Sequence, residues 1–242
     1  MIDHDAYGHE IYDYHRGRHS IEIVERDDGL VDCSSGLPGR YFSEYPDWPE
    51  YEKRAMEFVQ GRVLDIGCGA GRTCLYLQGL GHEVVAVDIS PLAIRVCRER
   101  GVRDARVMSI TGLNSRMGHF DTILMMGNNF GLLENRRRAG WLLRRFRAMV
   151  GPGGRIIATS NDPYMTEEEH HLEYHQLNIK RGRMPGQARI RVRYMRFVSN
   201  WFDYLLVSPE EMVDILEGTG WHVKQFIKSK GSTYAGIIER DG

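Results

Sequence analysis

Apolar and polar positions change period several times along the chain, and the changes mark out its elements. Little before Ile21 is periodic, and the stretch from Asp27 to Pro49 is punctuated by Gly29, Gly36, Pro38, Gly39, Pro46 and Pro49, so residues 1–47 read as a loop-rich lead-in. From Trp48 the pattern is helical, with Tyr51, Ala55, Phe58 and Val59 on one face and Gly61 as the stop. A regular alternation then begins, with strands at Arg62–Ile66, Glu83–Asp88, Ala105–Ile110, Phe120–Met126 and Gly154–Ser160. Helices at Arg72–Leu80, Pro91–Arg100 and Arg136–Val150 separate them, the second opened by Ser90 as cap and Pro91 at the first position. Several of these strands are continuously apolar, which suits a parallel sheet covered on both faces.

The rhythm breaks after Ser160. Asp162 to Gln176 is polar and helix-like, and Ala188 to Val207 alternates like two long strands around Ser199 and Asn200, so 161–207 reads as an insertion. Ser208-Pro209-Glu210-Glu211 forms a capping box ahead of Met212, Ile215 and Leu216. Trp221–Lys228 and Thr233–Glu239 close the chain as a hairpin. The predicted fold is α/β: a doubly wound, mostly parallel seven-stranded sheet with a C-terminal antiparallel hairpin, helices on both faces, and an inserted β-hairpin and helix as a cap. The expected domain spans 48–242, preceded by a lead-in that folds over it as a lid.

Composition narrows the function classes. The 242 residues contain no apolar run of the roughly 18 residues a membrane span needs, and Met1 to Glu10 is acidic and polar, so a cytoplasmic protein with no membrane partner is expected. Cys33, Cys68, Cys74 and Cys97 form no CxxC pair, which favours buried free thiols over a metal site or a disulfide framework. The formal charge of −1 gives no global attraction to nucleic acid, although 14 acidic against 6 basic residues precede Gly61 and leave the remainder mildly basic.

The segment Val63-Leu64-Asp65-Ile66-Gly67-Cys68-Gly69-Ala70-Gly71-Arg72 carries the most chemistry. It runs from a strand through a glycine-rich turn into a helix, but its spacing is G-x-G-x-G, with Arg72 where a dinucleotide fingerprint has its last glycine. An anion at that helix N-terminus would also lie close to the Asp65 carboxylate, which favours a ligand with a positive charge there. Asp88, 21 residues beyond Gly67, ends the next strand, where a carboxylate can accept from two ribose hydroxyls. A nucleoside bearing an ammonium and needing no phosphate matches S-adenosylmethionine.

D-I-G-C-G-A-G, A-V-D-I-S-P, F-D-T-I-L-M-M-G-N-N and G-P-G-G-R-I-I, in that order, resemble the class I S-adenosylmethionine-dependent methyltransferases from about Val63 to Ala158. The resemblance implies that Gly67, Cys68 and Gly69 pack under the methionine moiety with Asp65 near its ammonium, that Asp88 holds the ribose and that Ile89 flanks the adenine. Ser109 stands where many members place an acidic residue toward the adenine amine, and the Ile110 amide follows it. Asn128, in Met126-Gly127-Asn128-Asn129-Phe130, falls at the strand end that faces the methyl group and acceptor; this is not the N-P-P-Y form associated with nucleobase amines.

The expected function is methyl transfer to a small-molecule oxygen or nitrogen. An RNA or protein methyltransferase is the alternative, and a catalytically silent cofactor-binding partner subunit the second. Nucleic acid is disfavoured as a partner, and a homodimer is the assembly to test for. No catalytic base stands out. His171 and His175 share a helical face, but the H-E-x-x-H order is missing and a solvated helix is favoured over a metal. Tyr7, Tyr12, Tyr14, His15, Arg16, Tyr41 and Phe42 form an aromatic and polar group suited equally to a lid and to plain packing. Arg189, Arg191 and Arg193 alternate onto one sheet face, read as solvated before being read as an anion site, and the arginines of 136–147 read as an exposed basic helix.

Overall fold

The computed structural model describes residues 4–18, 21–33 and 38–242. In chain order the elements are α1 (Ala6–His15), β1 (Ile23–Arg26), β2 (Val31–Asp32), α2 (Glu50–Met56), β3 (Val63–Ile66), α3 (Arg72–Gly79), β4 (Val84–Asp88), α4 (Pro91–Glu99), β5 (Asp104–Val107), β6 (Phe120–Met125) and α5 (Arg136–Arg147). They continue with β7 (Val150–Asn161), α6 (Glu169–Lys180), β8 (Gln187–Tyr194), β9 (Phe197–Val198), β10 (Phe202–Leu205), α7 (Pro209–Leu216), β11 (Trp221–Lys228) and β12 (Thr233–Arg240). Seven strands form one sheet in the order β11-β12-β7-β6-β3-β4-β5. The β4–β5 and β6–β7 pairs are parallel, while β12 runs antiparallel to both β7 and β11. Every residue of β3 and β4 is buried, as strands covered on both faces require.

The lead-in departs from expectation. Residues read as aperiodic form α1, and Ile23–Arg26 and Val31–Asp32 pair antiparallel as β1 and β2. The inserted strands do not form a free-standing hairpin either: β8 pairs with β1, in a second sheet ordered β10-β8-β1-β2 with β9 added to β8. The turn falls after Tyr194, at Met195 with φ +50°, and not at Ser199 and Asn200. Other boundaries also move: the helix expected over Arg136–Val150 ends at Arg147, and the strand expected from Gly154 already begins at Val150. The strand expected over Ala105–Ile110 ends at Val107, Ile110–Gly112 being a 3-10 turn, and the helix expected within Asp162–Gln176 starts at Glu169.

The chain divides into two compact units. The first comprises residues 1–48, 64–110 and 189–202. In it Ile11 of α1 is buried against Ala70, Ala93 and Val96, with Tyr7, Tyr12, Tyr41 and Phe42 packed around them. Asp5 caps α1 by accepting from the Gly8 amide, and its other oxygen accepts from the Ser90 hydroxyl at 2.8 Å. Ser90 in turn caps α4 by accepting from the Ala93 amide, so one relay fixes both helix starts. Gly8 permits this approach, since a β-carbon there would lie 2.2 Å from Ser90 Oγ.

The second unit comprises residues 49–63, 111–188 and 203–242. Its core holds Leu142 and Phe146 of α5, Ile156 and Ile157 of β7, Met212 of α7 and Ile237 of β12, all at most 1% exposed. The buried polar tips are satisfied: Trp221 Nε1 donates to the Leu143 carbonyl and the Tyr234 hydroxyl to the Val207 carbonyl. The Ser208–Glu211 capping box forms as the sequence predicts.

Candidate active site

In the first unit the glycine loop joins β3 to α3, and Gly67, Gly69 and Gly71 all hold positive φ, a region that costs other residues energy. The loop donates its amides inward. Gly67 and Cys68 donate to the Val87 carbonyl at 2.9 and 3.2 Å, and Gly69 donates to Asp88 Oδ2 at 3.0 Å. The other Asp88 oxygen accepts from the Ser90 amide at 2.9 Å. Two fixed amides thus aim the Asp88 carboxylate while leaving lone pairs for further donors. Burial pushes its pKa up to about 6, against those two bonds. Ile89 follows it as an exposed apolar side chain, 73% accessible. Ser109 and Ile110 are half-buried beyond β5, where the Met108 amide donates to the Asp88 carbonyl.

Asp65 is 1% exposed, and its Oδ2 accepts from the Thr73 hydroxyl and, at 3.0 Å, from the Cys74 thiol. Burial raises its pKa and these bonds oppose the rise. The carboxylate therefore sits at the first turn of α3, where the helix dipole favours an anion. With Asp65 there and three loop amides already donating, the turn holds no phosphate cradle. Cys68, Cys74 and Cys97 are buried free thiols as expected, whereas Cys33 is exposed; Cys97 Sγ donates to the Gly69 carbonyl at 3.1 Å and lies 3.7 Å from Cys68 Sγ.

The aromatic residues of the lead-in reach this loop. A β-carbon at Gly69 would lie 2.9 Å from the Tyr7 hydroxyl and 3.9 Å from both Ile11 Cδ1 and Tyr41 Cδ1. Tyr7 and Tyr41 meet edge to face at 5.4 Å. Burial, with Tyr41 and Asp88 nearby, holds the Tyr7 phenol protonated well above its usual range. Glu10, Glu22 and Arg40 join the group and were not singled out in the sequence, because isolated polar residues in an aperiodic stretch carry no spacing signal.

In the second unit Asn128 adopts a left-handed conformation, φ +65°, just past β6. Its amide donates to Thr159 Oγ1 at 2.7 Å, and its carbonyl accepts from the Tyr204 hydroxyl at 2.6 Å. Its side-chain Oδ1 is buried with no hydrogen-bond partner among the described residues. His171 and His175 lie one turn apart on α6, and His175 borders an open groove of about 440 Å³ with Tyr164, Leu172, Ile179 and Pro185.

The arginine arrays are engaged locally. Arg191 and Arg193 both bond Glu25 of β1, and Arg191 also lies over the Trp201 ring at 4.5 Å. On and around α5, Arg136 donates to the Asp214 carbonyl, Arg145 to the Leu113 carbonyl, and Arg138 pairs with Glu134.

Residues 63–154 match a family described as a methyltransferase domain. Among curated relatives, the ubiquinone biosynthesis O-methyltransferase of Xanthomonas euvesicatoria pv. vesicatoria is 32% identical over 117 residues, 46% of this chain and 47% of the relative. That of Methylocella silvestris is 33% identical over 115 residues, 46% of this chain and 43% of the relative. The matches thus span a little under half the length of these relatives. Among solved structures, a SAM-dependent methyltransferase from Bacteroides fragilis, in complex with S-adenosyl-L-homocysteine, aligns over 99% of this chain and 96% of its own, with TM-score 0.83 and 28% identity. A Clostridium acetobutylicum S-adenosylmethionine-dependent methyltransferase shares the fold at TM-score 0.60 and 14% identity, over 84% and 94% of the two chains. The loop motif, the sheet order and these likenesses together make the chain similar to the class I S-adenosylmethionine-dependent methyltransferases, with the methyltransferase-domain match confined to residues 63–154.

Proposed function

We propose that the protein moves a methyl group from S-adenosylmethionine to an oxygen or nitrogen of a small organic molecule. The observation that carries this reading is the use of the glycine loop. Its amides are already engaged, Gly67 and Cys68 by the Val87 carbonyl and Gly69 by the Asp88 carboxylate, with buried Asp65 beside them, which suits a cationic nucleoside and opposes a pyrophosphate. The full-length likeness to a methyltransferase crystallised with S-adenosyl-L-homocysteine supports the cofactor. The names of the curated relatives support an organic acceptor.

The residues fit the cofactor. Asp88, aimed by two amides, is the acceptor for the ribose hydroxyls, and exposed Ile89 is placed to cover an adenine face. Ser109 and the Ile110 amide are offered to the adenine edge, and Gly67 to Gly69, with Cys68 between them, to the methionine moiety. Asp65, whose Oδ2 accepts from Thr73 and Cys74, acts on the ammonium through its field and by shaping the loop. The buried, unpartnered Asn128 Oδ1 is an acceptor in want of a donor. Bound cofactor supplies a sulfonium methyl open to in-line displacement, so the protein's task is alignment and exclusion of water. Tyr7, Ile11 and Tyr41, packed on Gly69, serve the second purpose as a lid.

Calorimetric titration with S-adenosylmethionine and S-adenosylhomocysteine, with NAD and ATP as controls, tests the reading. Micromolar affinity for the sulfur nucleosides alone, about −8 kcal/mol, is expected. Binding of NAD, or of none of the four, overturns it.

A further inference from the structure

Glu10 follows Tyr7 by three residues on α1, so the two side chains lie one turn apart on the same side of the helix. It is fully buried, and neither carboxyl oxygen has a hydrogen-bond partner among the described residues. The charged and titratable groups facing it are Glu22, just before β1, Arg40 and Tyr194 of β8. None of them satisfies it. The Tyr194 hydroxyl donates to Asp13 at 3.0 Å, and Arg40 donates to the Tyr41 hydroxyl at 3.1 Å and lies 3.6 Å from Glu22. Glu22, 7% exposed, accepts from the Tyr41 hydroxyl at 2.7 Å. Two buried carboxyls therefore face one guanidinium, whose own side chain is half-exposed. Burial, reinforced by Glu22 and offset by Arg40, pushes Glu10 up to about pKa 8. Buried acids are ordinarily hydrogen-bonded, and one held without a donor is suited to a ligand that brings one.

This cluster adjoins the glycine loop. The Tyr41 ring touches the β-carbon position of Gly69 with one edge and reaches Glu22 with its hydroxyl. One tyrosine ring thus separates the carboxylate from the loop. Tyr7 and Tyr41 add electron-rich faces, which favour a cation between carboxylates.

We propose that Glu10 and Glu22 receive the cationic nitrogen of the methyl acceptor, which is an amine bound as its ammonium and deprotonated by Glu10. The proposal rests on the methyltransferase reading above. Arrival of the ammonium ionises Glu10, whose proton leaves to solvent. In the productive step one N–H bond breaks, an O–H bond forms on Glu10, and the electron pair stays on nitrogen as the nucleophile.

The test is calorimetry on the full chain saturated with S-adenosylhomocysteine. The probes are butylammonium, benzylammonium and 2-phenylethylammonium, each against its alcohol isostere, at pH 7 in two buffers of different ionisation enthalpy. At least one ammonium is expected to bind about tenfold or more tightly than its alcohol, with net proton release. Glu10→Gln, a shape-matched mimic of the neutral acid, is expected to lose both effects, and Glu22→Gln to weaken the preference, with S-adenosylhomocysteine affinity unchanged in each. No discrimination in any pair, or full ammonium binding by Glu10→Gln, overturns the proposal. A Glu10→Gln protein that binds S-adenosylhomocysteine less tightly overturns it too, by giving the carboxyls to the cofactor's own ammonium. Failure of the unmodified chain to bind S-adenosylhomocysteine at all removes the methyltransferase reading itself.

Discussion

Asp88 concentrates the residue-scale argument. Its carboxylate must be ionised to accept strongly from a ribose, and burial holds its pKa near 6. Affinity for S-adenosylhomocysteine should therefore fall as pH drops below 6, and Asp88→Asn should bind weakly with a flat profile between pH 5 and 7. Asp88→Ala should cost about 1–3 kcal/mol of binding at pH 7.5, the worth of charge-assisted hydrogen bonds. A calorimetric series across pH checks both, and equal affinity in all three proteins would remove Asp88 from the site. Gly69 gives a second prediction. An alanine there meets the Tyr7 hydroxyl at 2.9 Å and sits at φ +54°, so Gly69→Ala should destabilise by about 1–2 kcal/mol through the left-handed backbone, plus the clash. Tyr7→Phe removes the clashing oxygen, so in a urea-unfolding double-mutant cycle the pair should cost less than the two single changes added together. Asp88 and the loop glycines were legible because chemistry fixes their spacing. Glu10 and Glu22 were not, since their meaning arises from residues brought together only by folding.

At the scale of elements, the strands and helices of the alternating core were readable because burial on both faces leaves continuous apolar runs, as in Val84 to Val87. Helix α1 was not. Its buried face is Ala6, Gly8, Glu10 and Ile11, so a glycine and an acid stand where the pattern rule looks for large apolar groups. Likewise β1 ends in Glu25 and Arg26, and Glu25 makes sense only beside Arg191 and Arg193, more than 160 residues later. Helix α1 accordingly depends on its anchors more than on propensity. The Asp5–Ser90 relay at one end and Arg16 and His15 against Glu99 at the other hold it to α4. Asp5→Ala should cost about 1 kcal/mol at the cap, and hydrogen exchange over residues 6–15 should accelerate about fivefold while β3 and β4 stay protected. Uniform acceleration across the chain would show that α1 does not open as a separate unit.

Across the whole molecule, three buried carboxyls of the first unit share a sign. Glu10 is pushed up to about 8 and Asp88 to about 6, and Asp65 is raised as well, chiefly by burial in each case. The folded chain therefore holds protons that the unfolded chain has released. Stability is fullest below the ordinary carboxylate range and declines as pH rises through the folded values. Glu25, Glu99 and Glu239 are lowered by arginine or lysine partners and act oppositely, but they finish titrating below their ordinary pKa and leave the window above pH 5 to the raised group. Urea unfolding of the ligand-free protein should show stability falling between pH 5.5 and 8.5, at most about 1.4 kcal/mol per pH unit for each proton released. Glu10→Gln should flatten the portion between pH 6.5 and 8 while keeping the fall near pH 6 that belongs to Asp88. If the wild-type curve is already flat above pH 6.5, Glu10 finds a donor in solution. The same carboxyl whose raised pKa makes the empty fold lose stability toward pH 8 is the one an arriving ammonium would ionise and pair with, so a bound amine should raise the melting temperature of the wild type more at pH 8 than at pH 6. Glu10→Gln should show no such pH dependence. That difference links the stability of the whole chain to the chemistry of its acceptor.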